Sequence, residues 1–328
     1  MIRHKDGAGN AGRSWRDKKS RHRCRQKEDR EVDAMEKMMC KMGAAFGQSS
    51  NIGEYALASA VNELAAEGGR AFCVHVHIFL PQDGKNAHMY EIEKRIRDAC
   101  GLREIKIGDI RRTPGSPVSR YMVSVAGISA KQGGGEGQSK MRPGQEIVLV
   151  NPIGMEGTIR LLEEQKGELE ARFAPAFLSR IRGRENGLWA LKAIEAGRAA
   201  GAAAIRQIGE GGIFAALWRL AEEAGTGIEA DMEKMLLRQE TIEVCEHLHL
   251  NPYQLASTGS LLMAAGDGEG MARQLQARGI MAAAVGAFRE DKDKIVRNGE
   301  DTRYIDRPAP DELNRLYAMQ PAEDLQSI

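Results

Sequence analysis

Several features of specialised proteins are scarce in this chain. Its five cysteines (Cys24, Cys40, Cys73, Cys100, Cys245) are scattered over 328 residues, odd in number and without a C-x-x-C pair. That argues against a disulfide framework and against a thiolate zinc cage. No apolar run approaches the ~18–20 residues of a membrane span. The N-terminus has no apolar core of a secretory leader, so the body reads as cytoplasmic. A surplus of one charge is also missing: the net formal charge is +1. Nucleic acid is therefore not an expected partner, since such binding rests on neutralising phosphates. The charge is uneven all the same. Residues 1–30 hold eleven Lys or Arg against four Asp or Glu, which leaves the remainder acidic.

What is present suits a globular enzyme-sized body. Hydrophobic residues make up 42% and charged residues 28%, enough to build a core and to rule out wholesale disorder. The length allows two domains of ordinary size. Residues 1–46 read as a basic tail with a short helix around Glu31–Met42. An amphipathic helix is expected over Ile52–Ala66, stopped by Gly68-Gly69, with Ile52, Tyr55, Ala56, Ala60, Val61 and Leu64 facing inward. The order that follows is strand Ala71–Leu80, helix Ala87–Ala99, strand Glu104–Ile107 and strand Arg120–Ile128. That order suits a small α/β sandwich over residues 47–132.

The glycine-rich segment 133–140 reads as a linker. Beyond it, over residues 141–318, strands alternate with helices in a layered α/β domain, and 319–328 form a second tail. The stretch Glu210-Gly211-Gly212-Ile213-Phe214-Ala215-Ala216-Leu217-Trp218 stands out. A glycine pair opens a helix whose apolar residues recur at helical spacing. Two readings stay open there. The pair is a tight strand-to-helix turn, or its first-turn N–H groups receive an anion such as phosphate. Further on, Asn298-Gly299 signals a type I′ hairpin turn.

Other polar residues are less telling. His75 and His77 share one strand face, with no third metal ligand placed by the sequence, and read as packing or an interface. His247 and His249 lie on different faces of a helix. Cys245 reads as a small buried apolar residue, and Trp189 and Trp218 as core.

These motifs resemble the AIR synthase superfamily, which includes aminoimidazole ribonucleotide synthetase, the hydrogenase-maturation protein HypE, selenophosphate synthetase and thiamine-monophosphate kinase. The nearest likeness is to the HypE-like members. In family order the matching residues are Arg142-Pro143-Gly144-Gln145, Gly154-Met155-Glu156-Gly157-Thr158, the Glu210–Trp218 stretch, Arg238-Gln239-Glu240-Thr241, Leu250-Asn251-Pro252-Tyr253 and Ser257-Thr258-Gly259-Ser260. Upstream, Asn51-Ile52-Gly53, Asn62-Glu63-Leu64-Ala65 and Val125-Ala126-Gly127-Ile128 extend the match.

The resemblance implies an α+β, two-domain PurM-like fold. Its N-terminal domain would pair in a homodimer, with ATP bound between the domains and its phosphates held through Mg²⁺ by acidic residues. The reaction implied is phosphoryl transfer to an amide-type oxygen, in which metal and acids manage the phosphate charge. Residue by residue, it points to Asn62, Glu63, Gly108, Asp109, Glu210, Gly211 and Gly212 as nucleotide- or phosphate-binding, and to Glu63 and Asp109 as metal ligands.

The chain departs from the family pattern in places. The family's opening phosphate segment is not found in residues 1–50. Its Asn-Asp pair is Asn62-Glu63, an acidic position is Arg within Gly108–Arg112, and its turn Asp and Thr are Gln207 and Gly209. A terminal cysteine that carries the reacting group in HypE is absent from Leu325-Gln326-Ser327-Ile328. Amides and arginine do not replace carboxylates around a hard cation. The expectation is therefore an eroded nucleotide–Mg²⁺ site, with a non-catalytic dimeric binding or scaffold protein as the alternative.

Overall fold

The computed structural model describes residues 38–131 and 141–319. The expected linker 133–140 and most of both expected tails lie outside them. Two sheets organise the rest. The first lobe runs β1 (Met38–Gly47), α1 (Ile52–Glu67), β2 (Gly69–Phe79), α2 (Asn86–Gly101), β3 (Lys106–Thr113) and β4 (Tyr121–Lys131). Its strands lie in the order β1-β4-β2-β3, antiparallel except for the parallel pair β2–β3.

Strand β1 corrects the sequence reading. Met38–Met42, expected in a short helix, and the rest of the tail to Phe46 pair with β4 from Met38↔Ala130 to Gly47↔Tyr121. The first lobe therefore includes residues 38–46, expected in the tail. The stretch is short and lacks strong β-formers, so its helix and strand periods are hard to separate. Pairing with β4 decides the outcome. Gly43 is required here, because a Cβ would stand 2.1 Å from the Ala56 carbonyl oxygen of α1.

The second lobe opens with β5 (Glu146–Val150), then α3 (Met155–Glu164), α4 (Lys166–Arg172), α5 (Pro175–Arg182), α6 (Leu191–Ala199) and β6 (Ala204–Gly209). It continues through α7 (Gly212–Ala224), β7 (Gly227–Asp231), α8 (Gln239–His247), β8 (Ser257–Ala265) and α9 (Gly268–Gln276). It closes with β9 (Ala282–Arg289), β10 (Lys294–Asn298), β11 (Asp301–Tyr304) and α10 (Glu312–Met319). The seven-stranded sheet has the order β11-β10-β7-β9-β5-β8-β6. In the β10–β11 hairpin Asn298 pairs with Asp301. Gly299 has φ +60° while Glu300 is not among the positive-φ residues. A single positive φ at the first central position belongs to a II′ turn, not to the expected I′.

Helix α1 connects the two lobes. Expected to be amphipathic, it also buries Leu57, Ala58, Asn62, Ala65 and Ala66. One side packs on the first sheet through Val74, Val76, Ile78, Val123 and Val125. Its C-terminal alanines join the core formed by β5, β6, β8 and α6. A helix apolar nearly all round is one buried on every side. A second sheet covering α1 is what a reading limited to the first lobe could not anticipate.

Candidate functional site

A cleft of about 780 Å³ opens between the lobes. Its walls come from β1, α1, β6, the turn into α7, α3 and α10; among them are Lys41, Glu63, Gln207, Glu210, Arg219 and Asp311. Two of the residues expected in a site, Glu63 and Glu210, therefore meet here. The others go elsewhere.

Asn62, one residue along α1, turns away from the cleft and is fully buried. Its Nδ2 donates to the Leu188 carbonyl at 2.7 Å and to Gln207 Oε1 at 2.9 Å, and its Oδ1 accepts from the Ala190 N–H at 3.0 Å. Gln207 completes the tie by donating to the Ser59 carbonyl at 3.2 Å. The amide pair thus bolts α1 to β6 and to the segment before α6. Every hydrogen bond uses a neutral donor and acceptor, the arrangement that buried polar groups require. Asn62, expected as a ligand residue, thus has its side chain engaged within the protein and away from the cleft wall.

Gly108 and Asp109 lie on β3, at the opposite edge of the first sheet from β1, roughly 14 Å away at ~4.8 Å per strand. Asp109 is exposed and bonded to Arg111 Nε at 3.0 Å, and that bond holds its carboxyl below the usual range. Gly108 packs under the His75 ring, where a Cβ would come within 2.5 Å. Neither lines the cleft, so within one chain they do not join Glu63.

The glycine pair takes the form of a tight turn. Gly211 and Gly212 both have positive φ, +78° and +65°, a run that side-chain-bearing residues resist. A Cβ on Gly212 would lie 2.3 Å from the Tyr253 carbonyl oxygen. An anion does sit at this turn, and it belongs to the chain: Asp311 Oδ2 accepts the Gly211 N–H at 2.8 Å. Its other oxygen accepts the Leu313 N–H at 3.0 Å. Burial pushes the Asp311 carboxyl up to about 6, the two N–H groups pulling against it. Sequence reasoning missed Asp311 because it lies 100 residues beyond the turn, with no local signal.

Three of the cleft's acids are paired with bases. Glu67 pairs with Lys41 and Glu223 with Arg206. Glu156 takes Arg160 Nη1 at 3.1 Å and the Thr258 N–H at 3.0 Å. Arg160 reaches on to the Phe46 carbonyl at 2.9 Å, tying α3 to β1. Burial is the strongest single influence and opposes the Arg160 charge, but Glu156 together with Tyr317, Asp311 and Tyr55 outweighs it and holds the guanidinium above its ordinary pKa. Arg219 donates to the carbonyls of Ile208 (3.0 Å) and Glu210 (3.2 Å). Burial raises the Glu63 carboxyl, with Lys41 working in the other direction. Among the described residues no three His, Cys, Asp or Glu side chains are grouped to hold a metal ion. A hard dication seeks several charged or carbonyl oxygens; Glu67, Glu156, Glu223 and Asp311 are engaged with a lysine, an arginine or backbone N–H groups, which leaves the Glu63 and Glu210 carboxylates to meet that demand.

Cys245 matches its expectation, whereas Trp189 and Trp218, expected in the core, are only partly buried against it. Cys245 is buried and its thiol is pushed up to about 12 by that burial. Trp189 is half-buried and donates to Glu54 at 2.8 Å. No helix among the described residues is long and apolar enough to cross a membrane.

With this geometry in hand, comparison with known proteins is informative. Residues 142–298 match the family of the AIR synthase related protein, C-terminal domain. A hydrogenase expression/formation protein of Methanocaldococcus jannaschii is 25% identical over 283 residues, 83% of this chain and 80% of that protein. Carbamoyl dehydratase HypE of Rhodobacter capsulatus is 28% identical over 217 residues, 65% of this chain and 61% of that protein. In three dimensions the chain resembles the crystal structure of E. coli HypE, with TM-score 0.70, 18% identity, and coverage of 87% of this chain and 91% of that one. It also resembles a HypE crystallised in complex with ATP, with TM-score 0.65, 16% identity, and coverage of 82% and 85%. The fold is thus the two-lobed PurM-like architecture expected from the motifs.

Proposed function

We propose that this chain, whose second half is an AIR synthase-related C-terminal domain, is a HypE-like protein that has kept the interlobe cleft and lost the grip on Mg²⁺–ATP. Its present role is binding or scaffolding, as a homodimer. One observation carries this reading: the position where the family resemblance expects a carboxylate, Gln207, is a buried amide locked to Asn62 and Ser59. An amide in that bond network supplies no charge to a cation and cannot swing out without leaving buried groups unpaired. The charge balance across the cleft supports the same view, because three of its acids, Glu67, Glu156 and Glu223, are already paired with Lys41, Arg160 and Arg206.

A second reading keeps ATP as a ligand. It is favoured by the size of the cleft, by Glu63 and Glu210 on facing walls, and by the ATP complex of a structural relative. Thermal-shift titration with ATP and Mg²⁺ separates the two. The proposal expects no rise in melting temperature at millimolar ligand. A rise that grows with concentration would establish a working nucleotide site instead.

The homodimer rests on the uncovered face of the first sheet. Met38, Cys40, Met42 and Ala44 project outward from β1, opposite Ala130, Ile128, Ala126 and Ser124 of β4. A continuous apolar face of this kind is seldom left to solvent. Met42, Ala44 and Met122 also border the cleft, so a second copy seated there would complete its rim. Gel filtration of the full chain tests this; elution as a monomer at micromolar concentration would overturn it.

A further inference from the structure

The Asp311 contact has consequences beyond capping a turn. Asp311, just before α10, and Leu313 and Asn314 within it form part of the cleft wall. The anchors that hold the helix are few. Asp311 bonds the Gly211 N–H, Leu313 is buried, and Glu312 accepts the Asn251 N–H at 3.2 Å. Tyr317 lies against Phe46, with ring centroids 5.0 Å apart, and beneath the Arg120 guanidinium. Arg315 faces solvent, while Asn314 and Leu316 are half-buried. A short helix with Leu313 buried and Leu316 and Tyr317 packed only partly buried against the core opens at lower cost than the core around α1.

We propose that α10 is a latch on the interlobe cleft, held shut by the Asp311 carboxyl group at the Gly211 turn. While docked, Asp311 takes the Gly211 N–H, and Leu313 and Asn314 form part of the cleft wall. Undocking frees the donor and widens the cleft in one movement.

The charges around Asp311 give the latch a pH response. From α3 it faces Glu156, which repels it, and Arg160, which attracts it but is bonded to Glu156. From the turn it receives the Gly211 N–H with Glu210 alongside, and from its own helix the Leu313 N–H, with Glu312 and Tyr317 further on. Burial dominates and disfavours the ionised form. Released into water, the carboxyl returns to about 3.9. The docked state therefore binds its proton more tightly, and docking strengthens as pH falls through about 6. By linkage the docked-to-open ratio changes about tenfold between pH 8 and pH 5.

Hydrogen exchange on the full chain, read by mass spectrometry and corrected for intrinsic rates, tests this. The latch predicts that amides of α10 and the Gly211 N–H exchange through one shared opening, while α1 and the body of α7 stay protected. That opening grows about tenfold from pH 5 to pH 8 in the wild type. In Asp311→Asn, which keeps the shape and loses the titration, the pH dependence flattens. If α10 exchanges only together with α1, or if its pH dependence persists in Asp311→Asn, the latch is wrong. The wild-type pH series decides the matter even where the variant folds poorly. No nucleotide enters the test, so its failure is distinct from failure of the cleft's functional reading.

Discussion

Replacing Asn62 by alanine separates a ligand-handling residue from a structural one. The change leaves the Leu188 carbonyl, the Gln207 Oε1 and the Ala190 N–H without their partner in a site closed to solvent. An unsatisfied buried polar group costs about 1–3 kcal/mol, a donor more than a carbonyl that retains a second lone pair. Partial relaxation keeps the three from adding fully. The expected loss is about 3–4 kcal/mol, which in a protein of this size lowers the melting temperature by roughly 6–15 °C. Urea denaturation of Asn62→Ala beside Glu63→Gln measures it. Glu63 lies one residue along α1, half-exposed on the cleft wall, and burial already works against its charge. Glu63→Gln is therefore expected to be near neutral. If Asn62→Ala cost under about 1 kcal/mol and abolished ligand binding, Asn62 would be a ligand residue and the tie described above would be wrong.

Three further outcomes follow from particular contacts. Gly212→Ala forces a Cβ to within 2.3 Å of the Tyr253 carbonyl at positive φ, and is expected to cost about 3–5 kcal/mol from strain and overpacking. Gly225→Ala has the same φ and open space, and is expected to cost only about 1 kcal/mol; chemical denaturation of the pair shows whether the close approach matters. Asp311→Asn gives up one of the two acceptors that hold the Gly211 and Leu313 N–H groups and should flatten the pH dependence of stability, the wild type gaining on the variant as pH falls from 8 toward 4. The sign follows from a folded-state carboxyl raised to about 6: a group whose folded value lies above its unfolded one gains stability as pH falls, here by up to about 3 kcal/mol. Denaturation midpoints across pH read this directly. Met42→Glu places a charge in the open sheet face and should shift the chain from dimer to monomer in sedimentation velocity.

Much of the fold was legible because its signals are local. The helix over α1, the stop at Gly68, and the Gly211–Gly225 frame of α7 follow from periodicity and glycine placement. β1 was not legible, since Met38–Gly47 becomes a strand only by pairing with β4 some 80 residues later. β8 begins at Ser257 rather than at the apolar run from Leu261. Its polar first residues are buried by long-range bonds such as Ser257 Oγ accepting the Gly154 N–H at 2.8 Å. The candidate site divides in the same way. Glu63 and Glu210 reach the cleft because family order and helix placement constrain them. Asn62, its neighbour, points elsewhere because one residue along a helix turns ~100°. Asp311 had no sequence signal at all, as its partner is a backbone N–H that any residue would supply.

A cleft that has lost its grip on a cation–nucleotide pair binds ATP no better with the metal than without it. Isothermal titration of the full chain with ATP, in the presence and absence of millimolar Mg²⁺, measures this. Mg²⁺ is expected to add nothing to whatever ATP affinity is present. A gain of tenfold or more on adding Mg²⁺ would mean that carboxylates do converge on the metal, and would contradict that loss of grip.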